Sequence, residues 1–166
     1  DLKNNYYNFG FSKPISVNFP AAAFGLINTK EFASEREVAS LGYGYGFTVS
    51  PFQITAAYSI FANQGVRKDF KLLMNDEVTS KRIISKISAD HTLEALKQVV
   101  KIGTGKKADI KGFSEGGKTG TVHRTISGSG YAKDLYRASF VGIAPLSQES
   151  LTIFVSIEDP SLNAYS

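Results

Sequence analysis

The spacing of apolar positions changes character once along this chain. Before Lys111 the clearest apolar groups fall at helical intervals, and after it they alternate. The best-marked helix starts at Pro51. Ser50 suits the N-cap, Pro51 the first helical position, and Gln53 stands three residues from the cap to complete a capping box. Phe52, Ala56, Ala57, Ile60 and Phe61 follow at helical spacing and Gly65 is a stop, so a helix is expected over residues 51–64. A second helix is expected from a cap at Ser88, through Leu93, Leu96, Val99 and Val100, to Gly103. Upstream, Tyr6 to Ile27 is aromatic and broken by Gly10, Pro14, Pro20 and Gly25, which reads as a helix end followed by loop. Thr29 to Ser40 is charged and suits a short exposed helix or turn. The glycines of Gly42-Tyr43-Gly44-Tyr45-Gly46 admit backbone angles that a regular element would not need.

Three strands are expected downstream. Leu151 to Ile157 is rich in β-branched residues, with Leu151, Ile153, Val155 and Ile157 on one face. Arg137 to Ile143, ended by Pro145, is a second, and Thr119 to Ile126 is a third, linked onward by Ser127-Gly128-Ser129-Gly130. Consecutive strands with short connections make an antiparallel meander. Helices first and strands later give an α+β arrangement, with helices packed on an antiparallel sheet.

Composition narrows the chemistry. The 166 residues include no Cys, which removes disulfides, thiolate metal sites and a Cys nucleophile. His91 and His123 lie far apart and show no metal-ligand spacing, so a metal site is not expected. The formal charge of +4 is spread thinly, with only Arg67-Lys68, Lys81-Arg82 and Lys106-Lys107 adjacent. Without a basic stripe interleaved with aromatics, nucleic acid is not an expected partner. No apolar run approaches the length of a membrane span, and Asp1 to Asn5 do not resemble a signal peptide.

The residues that point to chemistry are Lys118-Thr119-Gly120-Thr121, after Gly117. An ammonium followed by two hydroxyls around a glycine suits recognition of a carboxylate, and a backbone N–H there could serve an oxyanion. The same residues also suit a polar turn entering a strand, and alone they leave both readings open.

The surrounding chain resembles a family. Lys-Thr-Gly on a strand is a signature of serine β-lactamases and penicillin-binding proteins. Gly44-Tyr45-Gly46 and Val49-Ser50-Pro51-Phe52-Gln53-Ile54 resemble the glycine turn and capped helix of class B penicillin-binding proteins. Gly103-Thr104-Gly105 resembles the segment before their Lys-Thr-Gly strand. Phe140-Val141-Gly142-Ile143-Ala144-Pro145 and Ile157-Glu158-Asp159-Pro160 resemble their next two strands. The resemblance runs from about Tyr6 to Pro160 and is to the cell-division type more than the elongation type.

It implies a partial penicillin-binding transpeptidase fold, of which residues 1–166 are the second half. The implied activity is that of a peptidoglycan D,D-transpeptidase: a serine attacks the D-Ala-D-Ala stem peptide, releases D-Ala and passes the acyl group to an acceptor amine. Lys118, Thr119, Gly120 and Thr121 would bind the donor carboxylate, with the Thr121 N–H as half of an oxyanion hole. β-Lactams would acylate the complete enzyme, and the resemblance implies no metal or organic cofactor. The implied location is the bacterial inner membrane, with the catalytic domain in the periplasm, an anchor outside this chain and cell-wall synthesis proteins as partners. A non-catalytic penicillin-binding sensor and a serine β-lactamase relative are the alternatives.

The departures are as informative. No Ser in this chain has a Lys three residues later, so the nucleophile and its base are expected elsewhere, and the chain alone is expected to be inactive. Ser16-Val17-Asn18 fits the family's Ser-x-Asn pattern, but it lies in a Pro-rich loop where turn chemistry explains it. The closing C-terminal helix of the family is expected outside the chain, and the apolar faces so uncovered would promote self-association. His123 shares a strand face with Thr121 and is a candidate for the cleft border, whereas His91 is expected in a first helical turn as a surface or capping residue. Tyr43 and Tyr45 either wall the cleft or pack beside the glycine turn, and Lys106 and Lys107 are expected to be solvated.

Overall fold

The computed structural model describes residues 2–15, 23–27, 35–126, 130–146 and 149–160. Ser16-Val17-Asn18 and the 127–129 link lie outside the described residues. The chain forms two compact units, Asp1–Ser85 and Lys86–Ser166.

The first unit contains α1 (Leu2–Asn8), α2 (Glu35–Gly42), α3 (Pro51–Ala62), β1 (Val66–Lys68) and β2 (Ser80–Arg82). The capping box at α3 forms as expected: the Ser50 Oγ accepts from the Gln53 N–H and the Gln53 Oε1 from the Ser50 N–H. Gln53 is 1% exposed and does more than cap. Its Oε1 also accepts from the Gly25 N–H at 2.9 Å, while its Nε2 donates to the Gly10 and Lys13 carbonyls, each at 3.3 Å. One amide therefore ties the loop after α1 and the extended chain at Gly25 to the start of α3. In the same unit, Ile27, Leu41, Ala57 and Ile60 are buried. Tyr6 stacks obliquely on Phe47, with ring centroids 5.0 Å apart, and donates to the Leu41 carbonyl at 2.8 Å. Burial pushes the Tyr6 phenol above its ordinary pKa. Gly44 and Gly46 take the positive φ angles, 84° and 80°, that their alternation suggested. The β1–β2 hairpin is a finding beyond the sequence pattern, because strands of three residues are too short to show alternation.

The second unit is α4 (Lys86–Lys101), a 3₁₀ turn at Lys106–Ala108, and the antiparallel meander β3 (Gly116–Ile126), β4 (Gly130–Ala144) and β5 (Leu151–Glu158), in the order β3-β4-β5. The α+β expectation stands, with the starts of α4, β3 and β4 moved; β4 begins at Gly130, seven residues before the expected Arg137, and pairs there with the end of β3. Helix α4 starts at Lys86, so Ser88 lies inside the first turn, where its carbonyl accepts from the Thr92 hydroxyl, and is not the cap. Ser85 precedes the first helical residue, and two serines three apart made the cap ambiguous. His91 accordingly sits in the second turn, exposed.

Strand β3 starts at Gly116, three residues before the expected Thr119. Two glycines read as turn, yet both pair with β4, Gly116 opposite Ile143 and Gly117 opposite Gly142. Close approach explains them. A Cβ on Gly116 would stand 3.0 Å from the Leu96 Cβ on α4, and one on Gly117 would stand 2.3 Å from the Phe140 ring. Helix and ring thus occupy opposite faces of the strand start. On the α4 face, Val141 and Ile143 are buried with Ala89, Leu96 and Val100. On the other, Phe140 and Ala138 of β4 lie opposite Val155 and Ile157 of β5. Leu151, Ile153, Val155 and Ile157 are all exposed there, Leu151 by 67%.

Candidate functional site

Strand β3 is an end strand of the described sheet, and the Lys118–Thr121 segment runs along it. Alternation sends the Lys118 side chain to the face shared with Val141, and those of Thr119 and Thr121 to the face shared with Phe140 and Ala138. The lysine and the two hydroxyls therefore stand on opposite sides of one strand, and the exposed Lys118 Nζ turns back to donate to the Thr119 carbonyl at 2.8 Å. Gly120 meets β4: its carbonyl accepts from the Ser139 hydroxyl at 3.2 Å, and a Cβ there would come within 2.7 Å of that oxygen.

A second segment reaches this strand. The chain leaving α4 through Gly103-Thr104-Gly105 brings the Thr104 Oγ1 to 2.7 Å from the Thr119 Oγ1. Sequence reasoning had marked Gly103–Gly105 as a segment without assigning a contact to Thr104.

Beneath this segment lies a charged cluster that sequence reasoning missed. Glu115, 4% exposed, directly precedes the strand. The Lys101 ammonium, at the end of α4, donates to the Glu115 Oε1 at 3.1 Å and to the Asp109 carboxylate. The Ile110 N–H makes a long 3.5 Å contact to the same Glu115 oxygen. Among the described residues, the Glu115 Oε2 has no hydrogen-bond partner. Hydrogen bonds to Asp109 and Glu115 raise the Lys101 pKa, and the hydrogen bond from Lys101 is the main cause that lowers that of Asp109. Nothing local distinguishes Glu115 from an ordinary loop acid, since its hydrogen-bond partners lie 14 and 5 residues away.

Further along β3, His123 is half-buried with its ring 4.4 Å from that of Tyr136. It lines a cavity of about 240 Å³ with Val122, Arg124 and Arg137. The lining includes none of residues 118–121, so His123 borders this neighbouring cavity. Arg124 pairs with Asp159 and Arg137 with Glu158, fastening the end of β5 to the sheet. Tyr43 is 82% exposed on the glycine turn of the first unit and Tyr45 39% exposed, while Lys106 and Lys107 are exposed on the 3₁₀ turn. Among the described residues, no group of three or more His, Asp or Glu could hold a metal ion.

Known proteins share this architecture and sequence. The chain is 34% identical over 158 residues to a probable peptidoglycan D,D-transpeptidase PbpC of Pseudomonas aeruginosa, covering 94% of the chain and 28% of that protein. It is 28% identical over 167 residues to the peptidoglycan D,D-transpeptidase FtsI of Buchnera aphidicola, covering 99% of the chain and 29% of that protein. The apo transpeptidase domain of Burkholderia pseudomallei penicillin-binding protein 3 superposes with a TM-score of 0.87 at 33% identity, over 97% of this chain and 50% of that one. Penicillin-binding protein 3 of Mycobacterium tuberculosis, complexed with aztreonam, gives 0.86 at 26% identity, over 98% and 40%. The chain thus spans less than a third of those curated relatives and at most half of those solved chains. The family model of the penicillin binding protein transpeptidase domain matches residues 1–166, and the chain belongs to that family.

Proposed function

We propose that this chain is the substrate-carboxylate and oxyanion part of a peptidoglycan D,D-transpeptidase. The observation that carries the proposal is the end strand that presents Lys118-Thr119-Gly120-Thr121 along its edge in a chain of this family. Peptide groups in a strand face opposite edges in turn. The Gly120 carbonyl faces Ser139 of β4, so the peptide groups of Thr119 and Thr121 face the other edge, where Lys118 reaches the Thr119 carbonyl. A donor stem peptide lying along that edge meets the Lys118 charge at its terminal carboxylate, the Thr119 and Thr121 hydroxyls beside it, and the Thr121 N–H at its reacting carbonyl.

In the complete enzyme a serine Oγ adds to the penultimate D-Ala carbonyl while a general base takes its proton. The tetrahedral oxyanion collapses with loss of D-Ala, which leaves with a proton, and an acceptor amine then displaces the serine from the ester. The nucleophile and its base lie outside residues 1–166, since no Ser of this chain precedes a Lys by three. β-Lactams, which carry a carboxylate beside a reactive amide, enter by the same route and stop at the acyl-enzyme. The exposed apolar face of β5 is the seat of the closing helix of the complete domain, and the chain alone self-associates through it. The parent is anchored in the inner membrane with this domain in the periplasm, among cell-wall synthesis proteins.

The test is incubation of the complete polypeptide, and separately of residues 1–166, with a fluorescent penicillin, followed by intact-mass and peptide mapping. One stable adduct on a serine outside residues 1–166, with a lysine three residues beyond it, and none on the isolated chain, is expected. Rapid turnover to penicilloic acid would move the protein to the β-lactamases. Acylation without any cross-linking of stem peptides would favour the sensor, and an adduct on the isolated chain would redirect attention to Ser16.

A further inference from the structure

Glu115 poses a physical problem. A buried carboxylate is stabilised only when its oxygens are bonded, yet among the described residues the Oε2 of this one has no hydrogen-bond partner and its neighbour Asp109 is a second acid. An apolar residue would fill the space at lower cost, so a role in stability is a poor account of it. Its position in the chain gives a better one.

The cluster joins three points of the backbone: the end of α4 at Lys101, the end of the 3₁₀ turn at Asp109, and the residue before β3 at Glu115. Lys101 and Asp109 are the two feet of the loop that contains Gly103-Thr104-Gly105, and their ion pair closes its base. Glu115 fastens that base to the start of β3. At the far end of the loop, the Thr104 hydroxyl touches that of Thr119. A carboxylate-binding hydroxyl is useful only in one rotamer, and Thr104 is the group that selects it.

We propose that Lys101, Asp109 and Glu115 are positioning residues, whose cluster fixes the loop between them so that Thr104 orients the Thr119 hydroxyl toward the substrate carboxylate. The proposal rests on the transpeptidase reading above for its substrate. The geometric part, that the cluster holds the loop, stands independently.

The experiment compares the complete polypeptide with its Glu115→Gln and Thr104→Val variants. Stopped-flow acylation by a fluorescent penicillin separates the initial binding constant from the first-order acylation rate. Small misplacement of a binding group carries a large penalty, so binding should weaken about tenfold in both variants. The acylation rate should stay within about threefold, because the oxyanion donor is a backbone group. Hydrogen exchange supplies the second readout: amides of residues 102–109 should exchange faster in Glu115→Gln. Unchanged exchange there would overturn the proposal whatever the acylation data say. So would a fall confined to the acylation rate, or losses that merely track melting temperature. If Glu115→Gln fails to fold, the exposed Thr104→Val decides alone, and unaltered binding in it would end the argument. A wild-type polypeptide that is never acylated would sink the transpeptidase reading, and exchange would still decide the role of the cluster.

Discussion

Gln53 and Glu115 are polar side chains buried at a junction, one in each unit of this molecule, and the two are built on opposite principles. Gln53, in the Asp1–Ser85 unit, is neutral and saturated: both its N–H groups donate, and its oxygen accepts twice. Glu115, in the Lys86–Ser166 unit, meets one ammonium, one long N–H contact and the Asp109 carboxyl, and among the described residues its Oε2 has no hydrogen-bond partner. A saturated neutral group stabilises a junction. A half-satisfied acid adds little to stability, and in this unit it lies beside the proposed site.

The largest effect should come from Gln53→Leu. It leaves the Gly25 and Ser50 N–H groups and two carbonyls without their bonds, and should cost about 3–5 kcal/mol in urea unfolding. A loss under about 1 kcal/mol would mean that water or a rearranged loop replaces the amide. Lys118→Ala should do the reverse. An exposed lysine whose bond is to its neighbour's carbonyl contributes little to folding, but a charge-assisted bond to substrate is worth about 1.5–3 kcal/mol, so β-lactam acylation should fall about tenfold to a few hundredfold. A melting loss in proportion to the activity loss would make Lys118 a structural residue instead. Lys101→Met sharpens the contrast through pH. The lowered pKa of Asp109 contributes stability above the ordinary 3.8 that is lost as pH falls through its folded value. The raised pKa of Lys101 contributes stability below the ordinary 10.5 that is lost as pH rises past its folded value. The difference in melting temperature between wild type and Lys101→Met should therefore be flat through neutrality and shrink toward both extremes. A difference that changed between about pH 6 and 8 would mean that another group governs the cluster.

The same contrast explains what could be read in advance. Gln53 was legible as a cap because its first partner is three residues away and helix starts repeat that spacing. Its bonds to Gly10, Lys13 and Gly25 were not, since nothing local encodes them. The meander was legible from alternation in β4 and β5, and Lys118–Thr121 from its residue types. Glu115 was hidden between Ser114 and two glycines, where an acid reads as loop. The early start of β3 was hidden by those same glycines, whose meaning depends on Leu96, 20 residues from Gly116, and on the Phe140 ring, 23 residues from Gly117.

That ring sets an alignment. Phe140 lies where side chains on Gly117 and Gly142 would be, and these two glycines face each other across the strands. Sliding β3 by two residues in either direction would bring Glu115 or Thr119 beneath the ring, and neither fits. Sliding by one would exchange the two faces of the strand. The glycine pair and the ring therefore act as a key in a lock: only one setting of β3 against β4 closes, and in that setting the edge positions of Lys118 and Thr121 are measured from Phe140.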